Sequence, residues 1–164
     1  MRRLKTLCIA FPLAFACLAW AGNPDFSGAW TLNETKSALG EGGGRMIPIR
    51  VTVVQTADTL SIERLSRRPS GEERTVSEKL SFDGKECLSG APERPRTSSA
   101  KWSEDGKSLV VSSKTVFERD GNQMEITSVE TWKRSDDGKT LTLDIVSQSP
   151  RSERKATAVY DKAP

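Results

Sequence analysis

Histidine is absent from this chain of 164 residues. Its absence removes the Ser-His-Asp and Cys-His arrangements of nucleophilic catalysis and the commonest nitrogen ligand of zinc. Cysteine is nearly as scarce: Cys8 and Cys17 lie in the first apolar run, and Cys87 stands alone after it. The body of the chain therefore forms no internal disulfide, and with no imidazole to activate it Cys87 reads as structural or incidental. After residue 21 no apolar run is long enough to span a membrane. Nor is there a surplus of charge. The formal +3 comes from Arg2, Arg3 and Lys5, without which 22 basic residues face 22 acidic ones. A surface of mixed sign offers no basic face for releasing counterions, which argues against nucleic-acid binding. The glycines Gly42-Gly43-Gly44 lack the Gly-Lys-Ser/Thr ending of a phosphate loop. Glu72-Glu73 and Asp136-Asp137 sit in turn-like stretches where carboxylates are solvated. These absences predict a protein that is not an enzyme and has no metal and no cofactor.

What is present begins with a leader. Met1-Arg2-Arg3-Leu4-Lys5 is cationic, Leu7 to Leu18 is almost wholly apolar, and Ala19-Trp20-Ala21 has the small-x-small ending of a cleavage site. Residues 1–21 read as a secretory signal peptide and residues 22–164 as one domain, which predicts a periplasmic or secreted protein. Lipid attachment at Cys17, after Ala14-Phe15-Ala16, is an alternative that fits less well.

The body alternates short period-two runs with turn signals. Asp-Gly occurs at Asp83-Gly84, Asp105-Gly106, Asp120-Gly121 and Asp137-Gly138, and each pair supplies the positive φ angles of a tight hairpin. Strands are expected at 27–33, 49–55, 59–65, 74–82, 98–103, 108–118, 123–133, 140–147 and 154–160, with a helical turn near Asn33 to Leu39. The stretch from Leu88 to Thr97, with Pro92 and Pro95, reads as a loop. An open meander of this size leaves two long edges that invite foreign pairing. The expected fold class is all-β, an antiparallel up-and-down meander closed into a barrel of about eight to nine strands.

Parity counted from the apolar residues carries four charges onto the inner face. Arg64 falls in phase with Leu60 and Ile62, Glu78 with Leu80, Glu130 with Trp132, and Arg154 with Ala156, Ala158 and Tyr160. An unpaired buried charge costs several kcal/mol. Three outcomes remain open: a β-bulge returns the charges to solvent, they pair with one another, or they meet a polar ligand. Under the last, Arg64, Glu78, Glu130 and Arg154 are the candidate ligand-binding residues.

Gly28-Ala29-Trp30 at the head of the meander resembles the G-x-W signature of lipocalins and the wider calycin group, which includes fatty-acid-binding proteins and avidins. The longer opener, Asp25-Phe26-Ser27-Gly28-Ala29-Trp30-Thr31-Leu32-Asn33 with Lys36-Ser37 behind it, is similar to small exported bacterial lipocalin-like proteins. The resemblance implies a calycin-like barrel in which Gly28 permits a close approach and Trp30 covers the narrow end. It also implies a basic side chain from the last strand stacked on Trp30, for which Arg154 is the candidate and Arg151 the alternative. The chain departs from the central lipocalins in having no T-D-Y segment and no disulfide pair. The functional expectation is an exported binding protein for a small hydrophobic or amphipathic molecule. The alternative is an interaction or inhibitor protein that meets a protein partner through rim loops, with Met46, Ile47 and Pro48 as an exposed apolar patch.

Overall fold

Alternation of apolar and polar residues suits a pleated sheet with one dry and one wet face, and the chain folds accordingly. A computed structural model describes residues 22–40, 47–92, 94–119 and 121–164. The leader, Cys17, the glycine-rich stretch from 41 to 45, Met46 and Asp120 lie outside the described residues.

Ten strands follow in order: β1 (Gly28–Leu32), β2 (Arg50–Gln55), β3 (Thr59–Arg67), β4 (Glu73–Ser81), β5 (Cys87–Ala91), β6 (Arg94–Trp102), β7 (Leu109–Arg119), β8 (Asn122–Arg134), β9 (Thr140–Ser149) and β10 (Ser152–Lys162). The anticipated helical turn is one 3-10 turn, Glu34–Lys36, capped by the Asn33 side chain. Each strand pairs antiparallel with its neighbours in the order β4-β3-β2-β1-β10-β9-β8-β7-β6-β5. First and last strands meet in a ladder that sets Trp30 opposite Lys162 and Leu32 opposite Tyr160. The sheet thus curls into a calycin-like barrel, nearly closed, with a seam between β4 and β5 where no ladder forms.

The extra strand is β5, which pairs with the start of β6 inside the stretch read as a loop. Two prolines argued against a strand there. Pro95 is accommodated because it lies beyond the β6–β7 ladder, whose pairing begins at Arg96, so a missing N–H disrupts nothing on that side. Asp83-Gly84 also departs from expectation: Gly84 has the positive φ of 75°, but the strands it joins do not pair. Asp105-Gly106 and Asp137-Gly138 do close hairpins. In both, the aspartate accepts from a serine hydroxyl at 2.6 Å and from the backbone N–H of Lys107 or Lys139 at 3.0 Å.

One end of the barrel is shut by aromatic rings. Trp30 is fully buried, and its indole N–H donates to the Phe26 carbonyl at 2.9 Å. Phe26, also fully buried, stacks on Trp102 and meets Trp132 edge-on, both at 5.8 Å between centroids. The segment bearing it is tied down from two sides: Phe26 N–H donates to Gln55 at 3.0 Å, and Arg134 donates to the Asp25 carbonyl at 2.7 Å. The plug is therefore shared between Phe26 and Trp30. Gly28 holds φ at +135°, and a Cβ there would stand 3.1 Å from Lys162 Cε. The glycine of G-x-W is required by its own backbone; the Lys162 side chain beside it is flexible and can move aside.

The cation over Trp30 is Lys162, whose Nζ lies 5.6 Å from the ring centroid. Arg154 does not occupy that position. It sits eight residues earlier on β10, opposite Ser147, which at about 3.4 Å per residue is roughly 27 Å away along the strand. The rim patch also fails, because Ile47 is only 6% exposed and Pro48 is buried, its carbonyl accepting from the Tyr160 hydroxyl at 3.0 Å.

Candidate functional site

Across the middle of the barrel the inner face turns ionic. Arg64 on β3 donates through Nε to Glu78 Oε1 on β4 at 3.1 Å and through Nη2 to Glu130 Oε2 on β8 at 2.8 Å. Glu78 Oε2 accepts from the Ser98 hydroxyl on β6 at 3.2 Å. Glu130 Oε2 also accepts from the Trp132 indole N–H at 3.0 Å. Arg96 on β6 lies beside both acids, at 3.7 Å from Glu78 and 3.6 Å from Glu130. The Arg64 guanidinium also lies 5.4 Å over the Trp132 ring. Two arginines and two glutamates thus form a charge-neutral belt joining β3, β4, β6 and β8.

Sequence parity placed Arg64, Glu78 and Glu130 correctly, and no bulge returns them to water. Of the three outcomes left open, mutual pairing is the one realised. Arg154 keeps the inner-face phase but not the burial: it is exposed at the rim, two residues beyond Ala156, and takes no part in the belt. Arg96 and Ser98 were missed as site residues. Arg96 falls in phase with Ala100 and Trp102, so the signal was present; assigning the stretch through Thr97 to a loop concealed it.

The electrostatics follow from the pairing. Desolvation alone would push the Arg64 guanidinium down, but the facing carboxylates of Glu130 and Glu78 outweigh it and hold it above its ordinary value. Desolvation raises the Glu130 carboxyl; Arg64 and Arg96 overcome this and leave it below the usual 4.5. Burial pushes the Tyr160 hydroxyl up. A general acid at neutral pH needs the opposite shift, a carboxyl kept protonated, so Arg64 and Glu130 are arranged to stay ionised. Among the described residues no cluster of three or more His, Cys, Asp or Glu is placed to hold a metal.

The belt divides the interior. On the plugged side lie Leu60, Leu80, Leu109, Leu141 and Leu143, at most 1% exposed. On the other side the inner face of the longer strands continues past the core: Val76, Phe117, Met124 and Ile126 are half-buried apolar side chains interspersed with Ser113, Thr115, Ser128 and Ser147, while Ile145 and Ala156, level with Glu130, still pack against the core. Depressions of about 460 and 400 Å³ elsewhere are lined mainly by outward residues of β2, β3 and β4, such as Arg67 and Glu73 or Val54 and Lys79, and are grooves on the outer wall.

No family model and no curated protein matches this chain. Among solved structures it is similar to the zebrafish ileal bile acid-binding protein in complex with cholic acid. The likeness has a TM-score of 0.55 at 14% identity and covers 84% of this chain and 98% of that one. At that identity the likeness establishes the fold, a calycin-like β-barrel.

Proposed function

We propose that this protein is an exported binding protein that receives a small hydrophobic or amphipathic molecule in the open half of its barrel. The observation that carries the proposal is the set of apolar inner-face side chains beyond the ionic belt, Val76, Phe117, Met124 and Ile126, which remain half-buried and lie outside the core cluster. Apolar surface lining a concave mouth is what a small ligand covers. The solved barrel of the same fold, bound to cholic acid, supports the reading at the level of architecture. Export rests on the leader at residues 1–21.

The test is native mass spectrometry of protein recovered from its own compartment, together with titration of the uncharged fluorophore N-phenyl-1-naphthylamine. The expected result is a copurifying small molecule or fluorophore enhancement, lost in Ile126→Glu while circular dichroism is retained. An empty barrel that gives no enhancement would refute the proposal. The mature mass tests export: cleavage after Ala21 leaves Gly22 as the first residue.

A further inference from the structure

Beyond the belt the inner face mixes apolar side chains with the hydroxyls of Ser113, Thr115, Ser128 and Ser147 and, among the described residues, is one-sided in charge. The inner-face carboxylates of the described strands are Glu78 and Glu130, and both are taken up by Arg64, Arg96, Ser98 and Trp132. The arginines continue. Arg74 stands four residues mouthward of Glu78 on β4, and Arg94 stands four residues mouthward of Ser98 on β6. In an up-and-down meander β4 and β6 run the same way, and Glu78 touches Ser98 at 3.2 Å. The two arginines are thereby carried to the same level, on either side of β5 at the seam. Arg154 extends the cationic face on β10.

None of the three is matched with a described carboxylate, whereas the outward Arg67 and Arg68 nearby pair with Glu73 at 2.8 Å and Glu72 at 3.1 Å. The Arg94 guanidinium sits over the Phe117 ring, its Cζ 4.3 Å from the centroid. That cation–π contact holds the guanidinium beside an apolar ring, and its N–H groups have no hydrogen-bond partner among the described residues.

We infer that the mouth is a receptor for an amphipathic anion, with the acidic head held at the rim by Arg74 and Arg94, assisted by Arg154, and the apolar tail lying on the wall below. This rests on the barrel-mouth reading above and adds the head group and its orientation. The head does not descend to Arg64, because taking that guanidinium would leave Glu78 and Glu130 buried and incompletely paired. Among the described residues the rim arginines have no such prior partner, and a charge-assisted hydrogen bond to a carboxylate or phosphate oxygen is stronger than one to a neutral group.

The experiment compares dodecanoate with dodecanol, tails of equal length with charged and neutral heads, as competitors for N-phenyl-1-naphthylamine near neutral pH and at low salt. Dodecanoate is expected to displace the probe at about tenfold lower concentration, a difference near 1.4 kcal/mol, and to lose that advantage as salt is raised. Arg74→Gln combined with Arg94→Gln is expected to bring the two competitors within about twofold by weakening dodecanoate alone. Circular dichroism checks that the variant is folded. Equal displacement by the two in the native protein, or a preference that survives the double substitution, overturns the anion site and leaves the binding barrel standing. Failure of the probe and both competitors to bind overturns both. Association with phosphatidylglycerol vesicles and not with monomeric dodecanoate overturns the inference in favour of a membrane surface.

Discussion

The two halves of this barrel share their strands but are finished differently. In the plugged half, side chains from all around meet at the axis, and Phe26, Trp30, Trp132 and Tyr160 are fully buried. In the open half the strands run on past the core, the same alternation continues, and the inward apolar residues Val76, Phe117, Met124 and Ile126 stay half-exposed outside the core cluster. An inner-face position is therefore not a core position; it becomes one where the opposite wall or a plug is within reach. Glu130 and Arg154 illustrate this. Both carry inner-face phase, yet one is 6% exposed and bound by Arg64, and the other stands in solvent.

Substitutions can break that comparison, and the largest effect belongs to the plug. Trp30→Ala is expected to cost about 3–5 kcal/mol in denaturant unfolding, since it leaves a cavity and strips the Phe26 carbonyl of its donor. Met124→Ala, in the mouth, is expected to cost less than about 1 kcal/mol. Comparable losses at the two sites would show that the halves are packed alike. Next comes the belt between them: Glu130→Ala leaves Arg64 short of one buried partner and is expected to cost about 3 kcal/mol. A loss under about half a kcal/mol would mean that the pair is solvated in solution.

The same glutamate sets an acid limit. Its folded carboxyl lies below the usual 4.5, so the folded state binds the proton less readily than the unfolded chain. The stabilisation it supplies is complete above that value and declines as pH falls from it through the lower folded one. Urea midpoints of the native protein should drop across that window more steeply than those of Glu130→Gln; parallel curves would remove Glu130 as the cause.

Smaller effects separate the two candidate caps. Lys162→Ala is expected to cost about 0.5–1 kcal/mol and to change Trp30 emission, as an exposed cation over an indole implies. Arg154→Ala should stay within about half a kcal/mol and leave the spectrum unaltered. The reverse pattern would return the cap to Arg154.

Much of this fold was legible before any coordinates. Period-two runs and Asp-Gly turns are local features, and they located nine of the ten strands because a pleat and a tight turn are specified by the residues within them. Parity likewise identified Arg64, Glu78 and Glu130 as inward. The tenth strand escaped because Pro92 does lie in the turn between β5 and β6, and Pro95 looks like a loop residue until one knows which neighbour its missing N–H would face. Arg96 was lost with it.

Local alternation and turn chemistry were enough to determine an antiparallel meander, because each depends on residues a few positions apart, and the G-x-W opener marked Trp30 by resemblance. Tertiary structure alone decided that Lys162 covers that indole, that Arg64 reaches Glu130 sixty-six residues away, and that β4 and β5 stay unjoined. Those outcomes depend on how far each strand slides against the next as the sheet curls. That stagger accumulates over the whole barrel and appears in no single segment of the chain.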